Sequence, residues 1–403
     1  MNAIVASSGT TGFAPSLGEM ILEAFSRVQI RPASLTADHF SQARMSANLL
    51  QSEWSNVGMP LLWRIQPIQI ALQPGVSAYA APSNVIAPLD ATITLYQPGP
   101  GQNFTAAITG AAGQNLATIN QPLHGLGAGA LAYFNTAIAA SGQVIQGAYL
   151  VNTVIDQNNY EIQLPTPMDG TNSVALPIFT TTAGSQNIQI TLPNHNLSIG
   201  GSFYCNVPVT VAGLTISGQL VVNGVIDQDN FTVNLGQAAS ATASATMNGG
   251  LAQVATQAPG VDTTDFILSP VSRTDYVSQP DKGPNLQFRP TTFWFQRLRN
   301  PIIQFWNAPD DAGPYIFTLW AFVASEDAVV QGGVGIDVPY RFLEAFASGL
   351  AAKLSRKWPP SPSSGVTTAD LKKDADEALQ AALLEDIERT GFFITPGLSS
   401  YYR

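Results

Sequence analysis

The spacing of apolar residues predicts two helices near the start of the chain. Ser16 and Glu19 have the spacing of a capping box, and the helix that follows them ends before Pro32. A second helix is predicted to begin near Thr36 and to end at Gly58. The apolar stripes of these helices are Met20, Ile21, Ala24, Phe25 and Val28 in the first, and Phe40, Ala43, Ala47, Leu50 and Trp54 in the second.

The same periodicity predicts two more helices near the end of the chain. Residues 337–339, which include a proline, open the third helix, and Pro359 ends it. Thr367 or Thr368 caps a fourth helix, for which Gly391 is the C-cap. The inward positions are Phe342, Ala345, Phe346, Leu350 and Leu354 in the third helix, and Leu371, Ala375, Leu379, Ala382, Leu383 and Ile387 in the fourth.

Alternating apolar and polar residues predict strands between the two helix pairs. The predicted runs outside the middle of the chain are 68–72, 91–95, 266–268, 292–295, 302–306 and 315–320. Because helices and strands occupy separate stretches, the pattern predicts an α+β fold. In this fold the N- and C-terminal helices form a small bundle beside a β domain, and the middle of the chain is an insertion.

The middle of the chain is a tandem duplication. Residues 124–164 recur as residues 195–235 without a gap, an offset of 71 (195 − 124). Val-Ile-Asp-Gln-Asn-Asn-Tyr at 154–160 recurs as Val-Ile-Asp-Gln-Asp-Asn-Phe at 225–231. The other matched pairs include His124 and His195, Gly129 and Gly200, Tyr133 and Tyr204, Gly142 and Gly213, and Gly147 and Gly218.

Each copy predicts a small antiparallel β module, because Asp and Asn between two alternating runs are typical of hairpin turns. The predicted organisation has the modules at 100–180 and 181–256, inserted into a frame that precedes and follows them. The frame comprises N-terminal helices (1–64), a β region (65–99 and 257–336), C-terminal helices (337–391) and an extended tail (392–403).

Charge is scarce and unevenly distributed along the chain. Only 11% of residues are charged, against roughly 25% in an average soluble domain, and the net charge is −10. Residues 65–272 contain no Lys or Arg, so this span cannot neutralise phosphates and is not expected to bind nucleic acid. Its acidic residues are Asp90, Asp156, Glu161, Asp169, Asp227, Asp229, Asp262 and Asp265.

No catalytic, metal-binding or cofactor-binding residue is predicted, and the chain is not expected to be an enzyme. His124 and His195 precede turns at equivalent positions, so a structural role is favoured over metal ligation. Asp156 and Asp227 are predicted to cap the repeated turn rather than to form an acid–base pair. Cys205 is predicted to be a buried thiol. No apolar run reaches the ~18 residues that a membrane helix needs.

Two features are predicted to contact partners. The first is the aromatic tail, whose proposed interface residues are Phe392, Phe393, Tyr401, Tyr402 and Arg403. The second is the pair Arg297 and Arg299, close to Trp294, Phe295 and Trp306, for which arginines that cover a β core are an equal alternative.

The frame resembles the head-to-tail connector proteins of short-tailed bacteriophages, the tail tubular protein A type. The resemblance covers residues 1–97 and 262–403 and excludes the duplicated modules. The motifs that carry it are Glu19 to Ile30, Ala43 to Gly58, Ser272 to Tyr276, Phe293 to Arg297, Trp306 to Asp310, Val338 to Ala345 and Gly349 to Leu354.

The resemblance implies a structural virion protein at the head–tail interface, assembled in the host cytoplasm. Such a protein forms a ring, dodecameric in the family, that binds the portal above and the nozzle below. The tail would reach into the portal, the β modules would contact neighbours, the nozzle or tail fibres, and DNA would pass through the channel. Low charge fits large subunit interfaces, and a negative wall does not retain DNA.

Other functions are compatible with the sequence. One is a hexameric nozzle or hub subunit, although the family's nozzle is longer and largely β. Another is a glycan-binding tail protein that uses the twin modules. A lytic transglycosylase is disfavoured because no buried acid–base pair can be identified.

Overall fold

The computed structural model describes residues 13–55, 61–258, 261–280, 282, 287–310, 313–329 and 335–386. The chain divides into two compact units. The helical unit comprises Met1–Gln66, Asn84–Ala87 and Ala321–Arg403, and the β unit comprises Pro67–Ser83 and Pro88–Trp320. The α+β class predicted from the sequence is confirmed.

Three of the helices begin at caps that the sequence predicts. Ser16 and Glu19 form a capping box at the start of the first helix, and Thr36 and Thr367 are the N-caps of the second and of the last. The α-helices are α1 (Leu17–Arg27), α2 (Ala37–Trp54), α3 (Arg273–Ser278), α4 (Leu343–Lys357) and α5 (Thr368–Glu385). A 3-10 turn, Tyr340–Phe342, precedes α4, and the predicted helix positions Gly58, Ile387 and Gly391 lie outside the described residues.

Helices α1, α2, α4 and α5 share one apolar core in the helical unit. Helix α4 is the central one, because eleven of its fifteen residues are buried. Gly349 allows α2 to lie against it, since a Cβ at this position would be 2.9 Å from Leu50 Cδ2. Trp54 of α2 packs edge-on against Phe346 of α4, with ring centroids 6.1 Å apart.

Three sheets make up most of the rest of the fold. The strands are β1 (Ile65–Leu72), β2 (Ala78–Ala80), β3 (Val85–Leu95), β4 (Gln102–Phe104), β5 (Ala107–Thr109), β6 (Leu116–Asn120), β7 (Leu131–Ala140), β8 (Gln143–Val154), β9 (Asn159–Gln163), β10 (Val174–Ala175), β11 (Ile178–Thr181), β12 (Asn187–Thr191), β13 (Ser202–Val211), β14 (Leu214–Val225), β15 (Asn230–Asn234), β16 (Ala243–Thr246), β17 (Ala252–Ala255), β18 (Thr264–Pro270), β19 (Thr292–Gln296), β20 (Ile302–Trp306) and β21 (Tyr315–Val323). The frame sheet has the order β1-β21-β3-β18-β19-β20-β2.

The duplication is repeated in strand order and in hydrogen-bond register. The first module has the order β7-β8-β9-β6-β5 and the second has β13-β14-β15-β12-β11. Register shifts occur between Phe134 and Ile138 in the first module and between Cys205 and Val209 in the second, which are equivalent positions. The two modules therefore share irregularities as well as regular strands.

The chain leaves and re-enters the frame through adjacent strands. Strand β17, at the end of the predicted second copy, pairs with β4 and β7 and so completes the sheet of the first module. The backbone N–H of Gly99 donates to the carbonyl of Thr256 at 2.7 Å, just outside this pair. An antiparallel connection of this kind ties the two ends of the insertion together.

The two modules differ on one face of their longest hairpin. Ala137 and Ala139 of the first module pack into the apolar core of the second. Their equivalents in the second module, Pro208 and Thr210, are exposed. The second module is therefore the terminal one of the pair, with a polar outer face like that of a capping repeat.

Candidate interaction surfaces

The predicted tail interface lies outside the described residues. Phe392, Phe393, Tyr401, Tyr402 and Arg403 all belong to the segment after Asp386, the last residue that the structure describes. Docking of this tail on a partner stays a prediction.

Residues from motifs at opposite ends of the chain contact each other in the helical unit. Arg27 of α1 makes a two-point pair with Glu344 of α4, with N–O distances of 2.7 and 2.9 Å, and also donates to Ser348 Oγ at 2.7 Å. This pairing lowers the pKa of the Glu344 carboxyl. Glu53 of α2 pairs with Lys353 of α4. Two N-terminal motifs of the resemblance are thus joined to two C-terminal ones.

In the first module, the turn between β8 and β9 is held in place by hydrogen bonds from side chains of the same module. Asp156 accepts hydrogen bonds from the Asn158 N–H at 2.7 Å and from Asn159 Nδ2. These hydrogen bonds stabilise the carboxylate and so lower the pKa of the Asp156 carboxyl. His124 Nδ1 accepts the Leu126 N–H, and its Nε2 donates to the Asp156 carbonyl at 2.9 Å. Both residues have the turn role that the sequence predicts.

The second module repeats this turn with one additional charge. Asp227 accepts the Asp229 N–H at 2.8 Å, which is the main reason for its lowered pKa, and His195 Nε2 donates to the Asp227 carbonyl. Asp229 replaces Asn158 of the first module, and its Oδ1 accepts the Asn194 N–H at 3.0 Å. The second turn therefore has the same geometry as the first and one more carboxylate.

Both turns present an isoleucine to solvent. The exposed fractions are 54% for Ile155 and 57% for Ile226, at equivalent positions of the two copies. The alternating pattern did not mark them as surface residues, because both follow alternating strand residues. The repetition of Val-Ile before each turn Asp was the available signal.

Arg297 and Arg299 lie in a turn, whereas the aromatic residues near them in sequence lie in the strands on either side of it. Both arginines are exposed in the hairpin turn between β19 and β20. Trp294 instead packs on Tyr276 of α3, with centroids 5.4 Å apart, and Trp306 Nε1 donates to the Pro280 carbonyl. Both arginine side chains therefore reach solvent.

The remaining candidates have structural environments. Cys205 is buried, and burial raises the pKa of its thiol to about 11. No group of three or more His, Cys, Asp and Glu side chains in the described ranges is placed to hold a metal ion. Over the same ranges, no helix is long and apolar enough to cross a membrane.

Comparison with known protein families finds no match, and comparison with curated proteins also finds none. Among solved structures, the chain is similar to the phage phi92 endosialidase, with 17% sequence identity and a TM-score of 0.16. The match covers 44% of this chain and 32% of that one, so the chain spans about a third of that protein. At this TM-score the similarity decides neither the fold nor the activity of the chain.

Proposed function

We propose that the chain is the head-to-tail adaptor of a short-tailed phage, a structural virion protein that forms a ring between portal and nozzle. Copies of the chain form the ring, twelve by analogy with the family it resembles. DNA passes through the channel during ejection without being specifically bound. The twin modules contact neighbouring copies, the nozzle, or tail fibres and spikes.

The observation that carries this proposal is the contact between the motifs of the resemblance. Arg27 lies in the first motif and Glu344 in the Val338–Ala345 motif, 317 positions apart in the sequence, and they form a bidentate pair. Glu53 and Lys353 join two further motifs. Chance similarity in separate short segments has no reason to place complementary charges opposite one another, whereas a shared helical frame does.

The distribution of charge supports a channel and assembly role. The span 65–272 has no Lys or Arg, and turn hydrogen bonds lower the pKa of the Asp156 and Asp227 carboxyls within it. A surface without cations repels the phosphates of DNA and does not retain them. Low overall charge also fits the charge-depleted cores of subunit interfaces.

The experiment that tests the proposal is a binding assay with the portal protein of the same phage. The full chain and a variant that lacks residues 392–403 are each mixed with portal rings and separated by sedimentation. We expect the full chain to co-sediment with the portal and the truncated chain to form rings that do not. A second variant keeps the full tail length and replaces Phe392 and Phe393 with alanine, and we expect its affinity for the portal to be reduced.

A full-length chain that stays monomeric and does not bind the portal would contradict the proposal. A six-fold assembly without portal affinity would instead indicate a nozzle or hub subunit. Binding of the chain to cell-surface glycans, without assembly, would indicate a glycan-binding tail protein.

A further inference from the structure

The β19–β20 hairpin ends in a small surface with an aliphatic centre and cationic flanks. Leu298 is 54% exposed and lies between Arg297 and Arg299, which are exposed as well. Within the described part of the chain, neither arginine has a hydrogen-bond or ion-pair partner. We call residues 297–299 the arginine tip.

Two other cations of the β unit, Arg289 and Lys282, make contacts within that unit. Arg289 lies over the ring of Phe266, with Cζ 3.7 Å from the centroid, and Lys282 donates to the Val277 carbonyl at 2.9 Å. A partner surface complementary to these two arginines and the exposed leucine between them would supply carboxylates and an apolar side chain. Arginine is enriched in protein interfaces.

The turn of the second module has the complementary composition. Ile226 is exposed at its start, and Asp227 and Asp229 follow within three residues. The His195 ring and the turn hydrogen bonds hold this backbone in place, so little conformational entropy is lost when it binds. We call residues 226–229 the second-module tip.

The first module offers a weaker match. Its turn has the same exposed isoleucine, Ile155, and the same Asp156, but Asn158 stands where the second module has Asp229. Of the two module turns, the second is the one that offers two carboxylates to two arginines. The second module is also the terminal one, with the outer face of its long hairpin exposed.

We propose that the arginine tip of one copy docks on the second-module tip of a neighbouring copy. The inference rests on the proposed function, since it requires identical subunits arranged in a ring. A closed ring of more than two subunits is built from heterologous contacts, in which two different surfaces of the same chain meet. The two tips are such a pair. Each has an exposed aliphatic side chain, which lies beside arginines in one tip and beside aspartates in the other.

The test compares assembly of full-length variants over a concentration series by mass photometry. Arg297→Gln with Arg299→Gln removes both cations. Asp229→Asn removes one anion and keeps the oxygen that accepts the Asn194 N–H, as Asn158 does in the first module. Matched controls are Lys372→Gln and Lys373→Gln, alone and together, which remove cations from α5.

We expect the arginine double variant to raise the half-assembly concentration about 3- to 20-fold, and Asp229→Asn about 2- to 5-fold. The controls should stay within about 2-fold of the wild type, within the scatter of neutral surface changes. Adding Asp229→Asn to the arginine double variant should raise the half-assembly concentration little further, because the arginines that Asp229 would pair with are already absent. All variants should keep the wild-type unfolding midpoint in urea, since the changed side chains are exposed.

Three outcomes would overturn the inference. Wild-type rings with an arginine double variant that assembles equally well would refute the contact alone and leave the proposed function standing. Loss of affinity for a short DNA duplex in the arginine double variant, with assembly unchanged, would identify the arginine tip as a phosphate-binding surface instead. A wild type that never assembles would refute both the contact and the ring.

Discussion

Replacement of His195 by alanine tests the claim that the module turns are rigid. The ring is 7% exposed, accepts the Leu197 N–H at 3.0 Å and donates to the Asp227 carbonyl at 3.1 Å. Its centroid is 4.8 Å from that of Phe231. The variant leaves two backbone groups without partners, at about 1 kcal/mol each, and removes ring packing of about 1–2 kcal/mol. We therefore expect a loss of about 2–4 kcal/mol against local opening of the turn.

Hydrogen exchange measured by mass spectrometry reports this loss directly. A free-energy change of that size lowers amide protection about 30- to 1000-fold in peptides that cover residues 226–231. His124→Ala is the matched control, because it should produce the same loss in residues 155–160 and leave the second module unchanged. A loss smaller than about 3-fold, or an equal loss in both turns, would refute the reasoning.

Further predictions concern the helical unit and the response to acid. Arg27→Met removes the pair with Glu344 and should lower the free energy of unfolding by about 1–2 kcal/mol, because the partly exposed pair is screened by solvent; urea denaturation followed by tryptophan fluorescence measures it. Gly349→Leu inserts a side chain where α2 lies against α4 and should cost about 3 kcal/mol or more in the same assay, whereas wild-type stability would show that the helices do not meet there. The carboxyls of Asp156 and Asp227 have a lower pKa in the folded chain than in the unfolded one, so their stabilising contribution is complete above about pH 4 and disappears as the pH falls through the folded value. Scanning calorimetry between neutral and acid pH should therefore show a steeper acid-side loss in the wild type than in a variant with asparagine at both positions.

Local features of the fold were predictable from the sequence. The caps Ser16, Thr36 and Thr367 were found because a cap depends only on residues within one helical turn. The duplicated turns were found because identical turn chemistry recurs at one offset. Helix α3 was missed, although Ser272 and Asp275 form a capping box, because its six residues are too few to show helical periodicity.

Long-range features were not predictable from a single sequence. The pair of Arg27 and Glu344 joins helices at opposite ends of the chain, and nothing local in either helix specifies the partner. The packing of Ala139 into the second module could not be predicted either, since alanine on a strand is compatible with a buried or an exposed face. For the candidate interfaces, the charge pattern indicated which span lacks cations, but the exposure of the arginine tip depends on the path of the β19–β20 hairpin.

The rotational symmetry of the purified chain, imaged by electron microscopy alone and after mixing with the portal protein, decides whether the chain is a head-to-tail adaptor. We expect a closed ring with twelve-fold symmetry, by analogy with the resembled family, seated on the portal. A chain that remains monomeric under both conditions would contradict this expectation, and a six-fold ring without portal affinity would assign the chain to the nozzle instead.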